Sequence, residues 1–323
     1  MKSIIYRSSK EGDENKIIDL FLQGDRHLRT KSYWNWINRL SPFGKSFIEV
    51  AEFEESIIGH YGIIPVNLSM GDLKINSGFA TQAIIHTSHR NLEIIHQLTE
   101  RMWRRCEERQ LDFIYGFPND NIWKIKQSIM NWQSIGDFKS FEISIDKLRK
   151  IIKPVKSIKI KRLYSFGKDF DSLFMKSKIY NKISISKNSD YLNWRIFSHP
   201  LNHYVVLSST YQNELTGYMI LKLFWKKNIL YGHIVDFLSL ENQFEQTISS
   251  LLSEALTFFK WANVSKISLW LFPENDYHKI FSSFGFENSG FNTHFGYRHI
   301  DNSLNEINNI DNWYLSMADS DAF

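Results

Sequence analysis

Hydrophobic and polar positions fall into two alternating registers along this chain. Apolar residues at every second position predict strands over 2–6, 46–53, 56–65, 72–76, 78–86 and 112–117. Apolar spacing of three and four residues predicts helices over 13–23, 91–109 and 120–130. Ile94, Ile95, Leu98, Met102 and Cys106 draw one stripe down the second of these helices. The order then begins again. Tyr33-Trp34-Asn35-Trp36 recurs as Tyr191-Leu192-Asn193-Trp194, and each is followed by a proline, Pro42 or Pro200, and a strand-like stretch. Trp36 to Gly59 and Trp194 to Gly217 are equal intervals with no gap. Further on, DFIYGFPND ends at Asp120 and SLWLFPEND at Asp276, each running through a short helix to a hydrophobic end, Asn131-Trp132 or Gly285-Phe286. The pattern predicts a tandem duplication of one unit that mixes strands and helices in an α/β (mixed α+β sheet) fold.

The stretch KLRKIIKPVKSIKIKR, with eight basic residues and no acid, marks the join between copies. The expected organisation is a domain over 1–146, a basic linker or connecting strand over 147–163, a second domain over 164–300 and a tail over 301–323 that is acidic, since no Lys or Arg follows Arg298. At 323 residues the length suits two such domains. A net charge of +4 is compatible with an anionic partner and selects none. The single cysteine, Cys106, permits no intrachain disulfide and no cysteine zinc cage, which fits a reducing compartment and makes the cytoplasm the expected location. The N-terminal segment holds no secretory apolar run, and no stretch reaches the roughly 18 apolar residues of a membrane span. His86 with His89, and His294 with His299, lack a convincing ligand set, so no metal is expected. Nucleotide-binding loops and hydrolase elbows are absent too.

The repeated order, the opening YRSSKEGDENKIIDLF, the glycine of the third strand, the strand–helix unit after Gly78 and the closing Phe284-Gly285-Phe286 resemble the GNAT acyltransferase fold across both halves. The Trp-x-Trp segment, the FPND tetrad, the NWR triplet at 193–195 and the ending WYLSMADSDAF resemble, more specifically, tandem-GNAT proteins associated with bacterial surface-polysaccharide biosynthesis. The resemblance implies an acyl donor, acetyl-CoA or another acyl-CoA, whose pantetheine pairs with strand 78–86 where it parts from the next strand. It implies a loop and helix N-terminus that hold the pyrophosphate. On that register Ile85, His86, Thr87, Ser88, His89, Arg90 and Asn91 are the cofactor-binding residues, Arg90 matching the Arg that opens the family's phosphate loop. A neutral amine would attack the thioester directly in a ternary complex, with His86 or Asp236 as base. The acceptor expected from the resemblance is an amino group of a sugar or polysaccharide precursor.

The sequence departs from that pattern in two places. The loop glycines are replaced by side chains, Glu93 among them, and the tyrosine expected four residues before the closing Gly-Phe is Phe281 in the second copy and Gln127 in the first. Each remaining candidate carries two readings. His86 is a base or a hydrogen-bonded strand residue, and Asp236, between Val235 and Phe237, marks a polar site or a structural network that satisfies it. Asn119 and Asp120 contact substrate or cap the helix that follows. Trp34, Trp36 and Trp194 stack on a sugar or build core, and Arg195 recognises an anion or pairs at the surface. Two rival functions stay open. One is a tandem-GNAT enzyme that takes its acyl group from aminoacyl-tRNA, the only reading in which nucleic acid is a partner, and the other is a non-catalytic binding protein.

Overall fold

A computed structural model describes residues 3–24, 30–148, 155–271, 276–300 and 304–321. In chain order the first elements are β1 (Ile5–Ser8), α1 (Glu14–Gly24), α2 (Lys31–Arg39), β2 (Phe47–Phe53), β3 (Ser56–Met70), β4 (Leu73–Ile85), α3 (Leu92–Glu108), β5 (Phe113–Gly116), α4 (Asp120–Ser128) and β6 (Gln133–Ser144). Next come β7 (Ile158–Leu163), α5 (Asp169–Met175), β8 (Ser184–Ile185), α6 (Ser189–Leu192), β9 (Tyr204–Tyr211), β10 (Glu214–Lys226), β11 (Ile229–Ser239), α7 (Phe244–Trp261), β12 (Lys266–Leu271), α8 (Asp276–Ser283) and β13 (Glu287–His299). The run β2-β3-β4-α3-β5-α4 is repeated by β9-β10-β11-α7-β12-α8, so the duplication is structural. The first hairpin of each copy turns through two residues of positive φ, Glu54-Glu55 and Gln212-Asn213, the conformation that matches strand twist in a two-residue turn. The strands expected over 72–76 and 78–86 are one element, β4.

The chain divides into two compact units that are not contiguous halves. Unit 1 comprises Met1–Leu68, Lys74–Ile135 and His294–Asn308; unit 2 comprises Ser69–Leu73, Gly136–Thr293 and Asn309–Phe323. A boundary after residue 146 leaves β6 with the first half, whereas β6 pairs antiparallel with β12 from Lys266↔Ser144 to Leu271↔Lys139 and counts with unit 2. Conversely, the end of β13 pairs with β5, Gly296↔Gly116 to His299↔Phe113, and closes the sheet of unit 1. The strand order is therefore β1-β2-β3-β4-β5-β13 in unit 1 and β6-β12-β11-β10-β9-β7 in unit 2. Alternation along a strand states which face is buried and is silent about which edge it joins, so this exchange leaves no mark in a one-dimensional pattern. Part of the basic stretch, Ile158–Leu163, is strand β7, paired with β9; residues 149–154 lie outside the described ones.

In unit 1 the stripe on α3 is core. Ile94, Leu98, Met102 and Cys106 pack on Ala51, Ile58, Tyr61 and Ile63 of β2 and β3. Each such aliphatic contributes about 1.5–3 kcal/mol on burial. Packing is close at Gly59, where a Cβ would sit 3.1 Å from both Ala51 and Leu98 and those side chains would have to give by a few tenths of an ångström. Cys106 is fully buried, and burial pushes its thiol up to about 12, so it is an inert packing residue.

Candidate functional site

The candidate site in unit 1 begins where two strands part. β4 pairs in parallel with β5 over Ser77↔Phe113, Gly78↔Ile114 and Phe79↔Tyr115, after which β5 ends at Gly116 and β4 runs on to Ile85. At the parting point the backbones nearly touch: a Cβ on Gly116 would lie 2.9 Å from the Ala80 carbonyl oxygen. The far end of β4 is held by β3, since the His86 amide donates to the Ile58 carbonyl at 2.8 Å. In a ladder, alternate residues address opposite neighbours, so the Ile85 peptide groups face the side that β5 has left. Among the described residues no strand pairs with this side of β4 beyond Phe79, which leaves an open edge leading into α3.

Along this edge Gln82 is a non-glycine residue in the left-handed region, with φ 63°. Its carbonyl leaves the ladder and accepts from His60 Nδ1 at 2.7 Å, both residues being buried. The side-chain Nε2 of Gln82 is buried without a hydrogen-bond partner. Left-handed backbone in a strand costs on the order of 1–3 kcal/mol, and here the His60 bond holds it. Nothing in the alternating pattern around Gln82 signals this conformation.

The loop after β4 is a 3₁₀ turn, Thr87–His89, with His86 as its cap. His86 Nδ1 accepts from the Ser88 amide at 3.2 Å and lies 2.7 Å from the Ser88 hydroxyl, which also lies 3.0 Å from His89 Nδ1. Because Nδ1 is the acceptor, the neutral ring carries its proton on Nε2 and presents a donor there. His86 thus shapes the loop, and its placement as a base needs the other tautomer. Asn91 caps α3, its side chain accepting from the Glu93 amide at 2.9 Å. Arg90 is exposed beside that positive helix end. Glu93, the like charge that the sequence sets against a phosphate, accepts from Gln97 one turn along the helix at 2.8 Å and so lies along α3. Of the seven expected cofactor contacts, then, Ile85 lies on the free edge, 86–89 form the turn, and Arg90 and Asn91 stand at the helix end. The same end of unit 1 holds a cavity of about 430 Å³, lined by Lys16, Asp19, Glu55, Ile58, His86 and His89 among others.

Other expected contacts lie elsewhere. Trp34 and Trp36 are buried on α2, so stacking on a sugar is replaced by core packing; Arg39 lies over the Trp34 ring, and Trp36 packs on Tyr33. Trp194 is half-buried in a π-helical turn, Asn193–Phe197, beside Tyr191. Asn119 caps α4, accepting from the Ile122 amide at 3.1 Å. Asp120 is exposed and lies 2.9 Å from His294 Nε2 of β13, whose ring stacks on Trp123. This half-buried imidazole oriented by an exposed carboxylate joins residues far apart in the chain, which is why spacing did not reveal it. In the second copy, the matching stretch FPEND covers 272–276, of which 272–275 lie outside the described residues and Asp276 starts α8.

In unit 2 the residues singled out as base and anion contact are structural. Asp236 has no accessible surface; Tyr218 donates to it at 2.8 Å, and Lys187 Nζ stands 3.3 Å away. Lys187 in turn pairs with Asp319 at 2.6 Å. Burial pushes the Asp236 carboxyl up; Lys187 opposes this and the nearby Asp319 adds to it. A carboxylate closed in this way reaches no incoming amine, so Asp236 belongs to the structural network rather than to catalysis. Arg195, also buried, donates to the carbonyls of Ala318 and Ser320 at 2.6 and 3.0 Å. Its place is an anchor for backbone and not an anion contact.

Comparison with known structures settles the architecture. Across 93% of its length the chain superposes, at 9% identity and a TM-score of 0.73, on 73% of an Enterococcus faecalis protein described as a probable N-acyltransferase. It also superposes over 94% of its length on the whole of a tandem GNAT protein from the clavulanic acid biosynthesis pathway, at 10% identity and a TM-score of 0.67. The chain has a duplicated GNAT fold. Residues 5–123 match the acetyltransferase (GNAT) domain, which places that domain on unit 1 and over the free strand edge. Saccharomyces cerevisiae N-myristoyltransferase, solved with myristoyl-CoA, shares the fold at 12% identity and a TM-score of 0.62, over 92% of this chain and 83% of the enzyme. No curated protein matches the sequence. Among the described residues no helix is long and apolar enough to cross a membrane, and no cluster of His, Cys, Asp and Glu suits a metal ion.

Proposed function

We propose that this GNAT-fold chain is an acyl-CoA-dependent N-acyltransferase that binds its donor in unit 1. The observation that carries the reading is the run of β4 beyond β5 into the capped N-terminus of α3. A strand edge without a neighbour suits the amides of an extended pantetheine arm, and a helix N-terminus beside Arg90 suits its pyrophosphate. Residues 80–85 would hold the arm, Arg90 and the first turn of α3 the phosphates, and Gln82 with His60 would fix the backbone where the acyl end lies. The fit answers the missing glycines, because Glu93 lies along α3 and side chains 87–89 are folded into a turn. When bound, the acyl-CoA supplies an activated thioester. The chain's own part is to orient an amine and move a proton, which we assign to His294, half-buried and aligned by Asp120.

The acceptor is an amine. The sequence resemblance makes it an amino group of a sugar or polysaccharide precursor, and the buried, disulfide-free Cys106 suits a cytoplasmic setting. The test is calorimetric titration with acetyl-CoA at moderate salt, free CoA and ATP serving as controls, followed by an amine panel that includes amino sugars. Micromolar, thioester-dependent binding and turnover with an amine are expected. Turnover with aminoacyl-tRNA in place of acyl-CoA would transfer the site to that donor class, and binding without any turnover would make the chain a non-catalytic member of the fold.

A further inference from the structure

Unit 2 repeats the strand fan of unit 1. β11 pairs in parallel with β12 over Tyr231↔Lys266, Gly232↔Ile267 and His233↔Ser268, and then runs on to Ser239. Its other edge is taken by β10, Gly217↔Ser239 to Lys226↔Ile229. The Leu240 amide donates to the Thr216 carbonyl at 2.9 Å, and the Leu238 carbonyl oxygen lies 2.5 Å from where a Cβ on Gly217 would be. These even-numbered residues address β10. Phe237 therefore turns its peptide groups to the opposite side, the side that corresponds to the free edge of β4.

That side is filled. The Tyr314 hydroxyl donates to the Phe237 carbonyl at 2.7 Å. Tyr314 belongs to the segment 313–320, WYLSMADS, in which every residue is buried, none more than 7% exposed. The segment is fastened along its length to residues 183–195. Ile183 exchanges backbone bonds with Asn312 and Tyr314 at 2.7 and 3.0 Å; Lys187 and the Tyr191 hydroxyl bind Asp319 at 2.6 and 2.9 Å; Arg195 holds the Ala318 and Ser320 carbonyls. Ser316 closes the turn by donating its amide and hydroxyl to Asp319. Lys187 reaches Asp236 of β11 as well, so one buried cation joins the segment to the strand.

We infer that residues 313–320 are a built-in occupant of the unit 2 groove equivalent to the donor groove of unit 1, so that the chain binds one acyl-CoA and binds it in unit 1. The inference rests on the donor reading proposed above. An unpaired strand edge takes an extended chain that offers hydrogen-bonding groups, and in unit 2 that chain is the protein's own. Eight consecutive buried residues, fixed by paired charges, make the occupancy permanent.

The test combines native mass spectrometry of the full chain with acetyl-CoA and hydrogen–deuterium exchange of the same samples. The expected result is one acetyl-CoA per chain, bound about tenfold or more weakly in Arg90→Glu, with 313–320 among the slowest-exchanging residues of unit 2 at every donor concentration. A second equivalent, or one whose affinity is unchanged in Arg90→Glu, overturns the inference. Faster exchange of 313–320 on adding donor also overturns it, since the segment would then be displaced by the ligand. Rapid exchange of 313–320 without donor overturns it as well. Complete absence of donor binding with a protected segment sinks the unit 1 reading alone and supports the closed groove in unit 2.

Discussion

The two copies answer one geometric problem in opposite ways. A central strand that outruns its parallel partner exposes peptide groups, and those groups need partners. In unit 1, β4 presents its edge beside a helix N-terminus, and Gln82 is held in a left-handed conformation by His60. In unit 2 the strand residue at the same distance from the aligned glycine, Gly232 against Gly78, is Asp236, which borders a β-bulge, Ile220↔Asp236 stepping to Leu221↔Ile234, without a left-handed φ, and the edge is covered by 313–320. Duplication supplied two grooves. One copy keeps strain and an open edge, the conditions for a ligand, while the other has turned the same edge into core.

The widest difference should appear on removing Lys187. Lys187→Met strands Asp236 and Asp319 in a site with no accessible surface, and the expected loss is about 3–5 kcal/mol in chemical denaturation, with rapid exchange over 313–320. The comparable change in unit 1, Lys16→Met, removes an almost half-exposed ammonium that lies 3.9 Å from Glu52 and donates to the exposed Glu55 carbonyl, and should leave the midpoint nearly unchanged. Equal midpoints for the two variants would mean that the Lys187 cluster does not anchor the segment.

Next in size is the strain at Gln82. Gln82→Val places a β-branched residue at φ 63° and should cost about 1–3 kcal/mol, whereas Gln82→Gly, which removes the Cβ penalty, should be close to neutral or slightly stabilising. The pair of variants separates backbone strain from the side-chain amide. If both weaken donor binding equally while only one is destabilised, the amide itself takes part; if binding follows stability, only the backbone matters.

How much of this was legible follows from what each level of pattern encodes. The duplication and the order of elements are written in periodicity and in matched intervals such as Trp36–Gly59 and Trp194–Gly217. The odd Asp236 was legible as a residue that demanded either a site or a network, because an isolated carboxylate in an apolar strand is costly. What settled the choice was Lys187 and Asp319, which come from segments that no interval connects to it. Trp34 and Trp36 show the converse: aromatic residues at repeated positions more often build core, yet a stacking surface stays open until burial decides. The exchange of β6 and β13 and the left-handed Gln82 depend on edge and backbone, on which side-chain alternation is silent.

Arg90→Glu probes the open groove directly. The side chain is exposed, so the melting temperature should stay within about a degree, while acetyl-CoA affinity falls on the order of tenfold or more, equivalent to about 1.4 kcal/mol. The charge reversal acts on the phosphate end only, so the loss should shrink at high salt. Unchanged affinity by calorimetry would remove Arg90 from the site.

The smallest effect is a difference in acid response. In unit 1, burial would raise the Asp13 and Glu14 carboxyls, but Arg7 and the Lys10 amide hold Asp13 below its usual range, and a backbone hydrogen bond together with Arg39 holds Glu14 below its own. Groups with lowered folded values stabilise above their unfolded values, near 4, and that contribution is lost as the pH falls through the folded values. Asp236 has the opposite sign. Its folded value is raised by burial, so its contribution is complete below the unfolded value and fades as the pH rises through the folded one. Lowering the pH from neutral to below about 4 should therefore deprotect residues near Asp13 and Glu14 before 313–320. Asp236→Asn mimics the neutral form: it should change stability at pH 7 by about 1 kcal/mol or less, and it should remove the part of the unit 2 pH dependence that comes from proton uptake. An Asn variant as damaging as Lys187→Met would show instead that Asp236 works as an anion, with the Lys187 charge shared between two carboxylates.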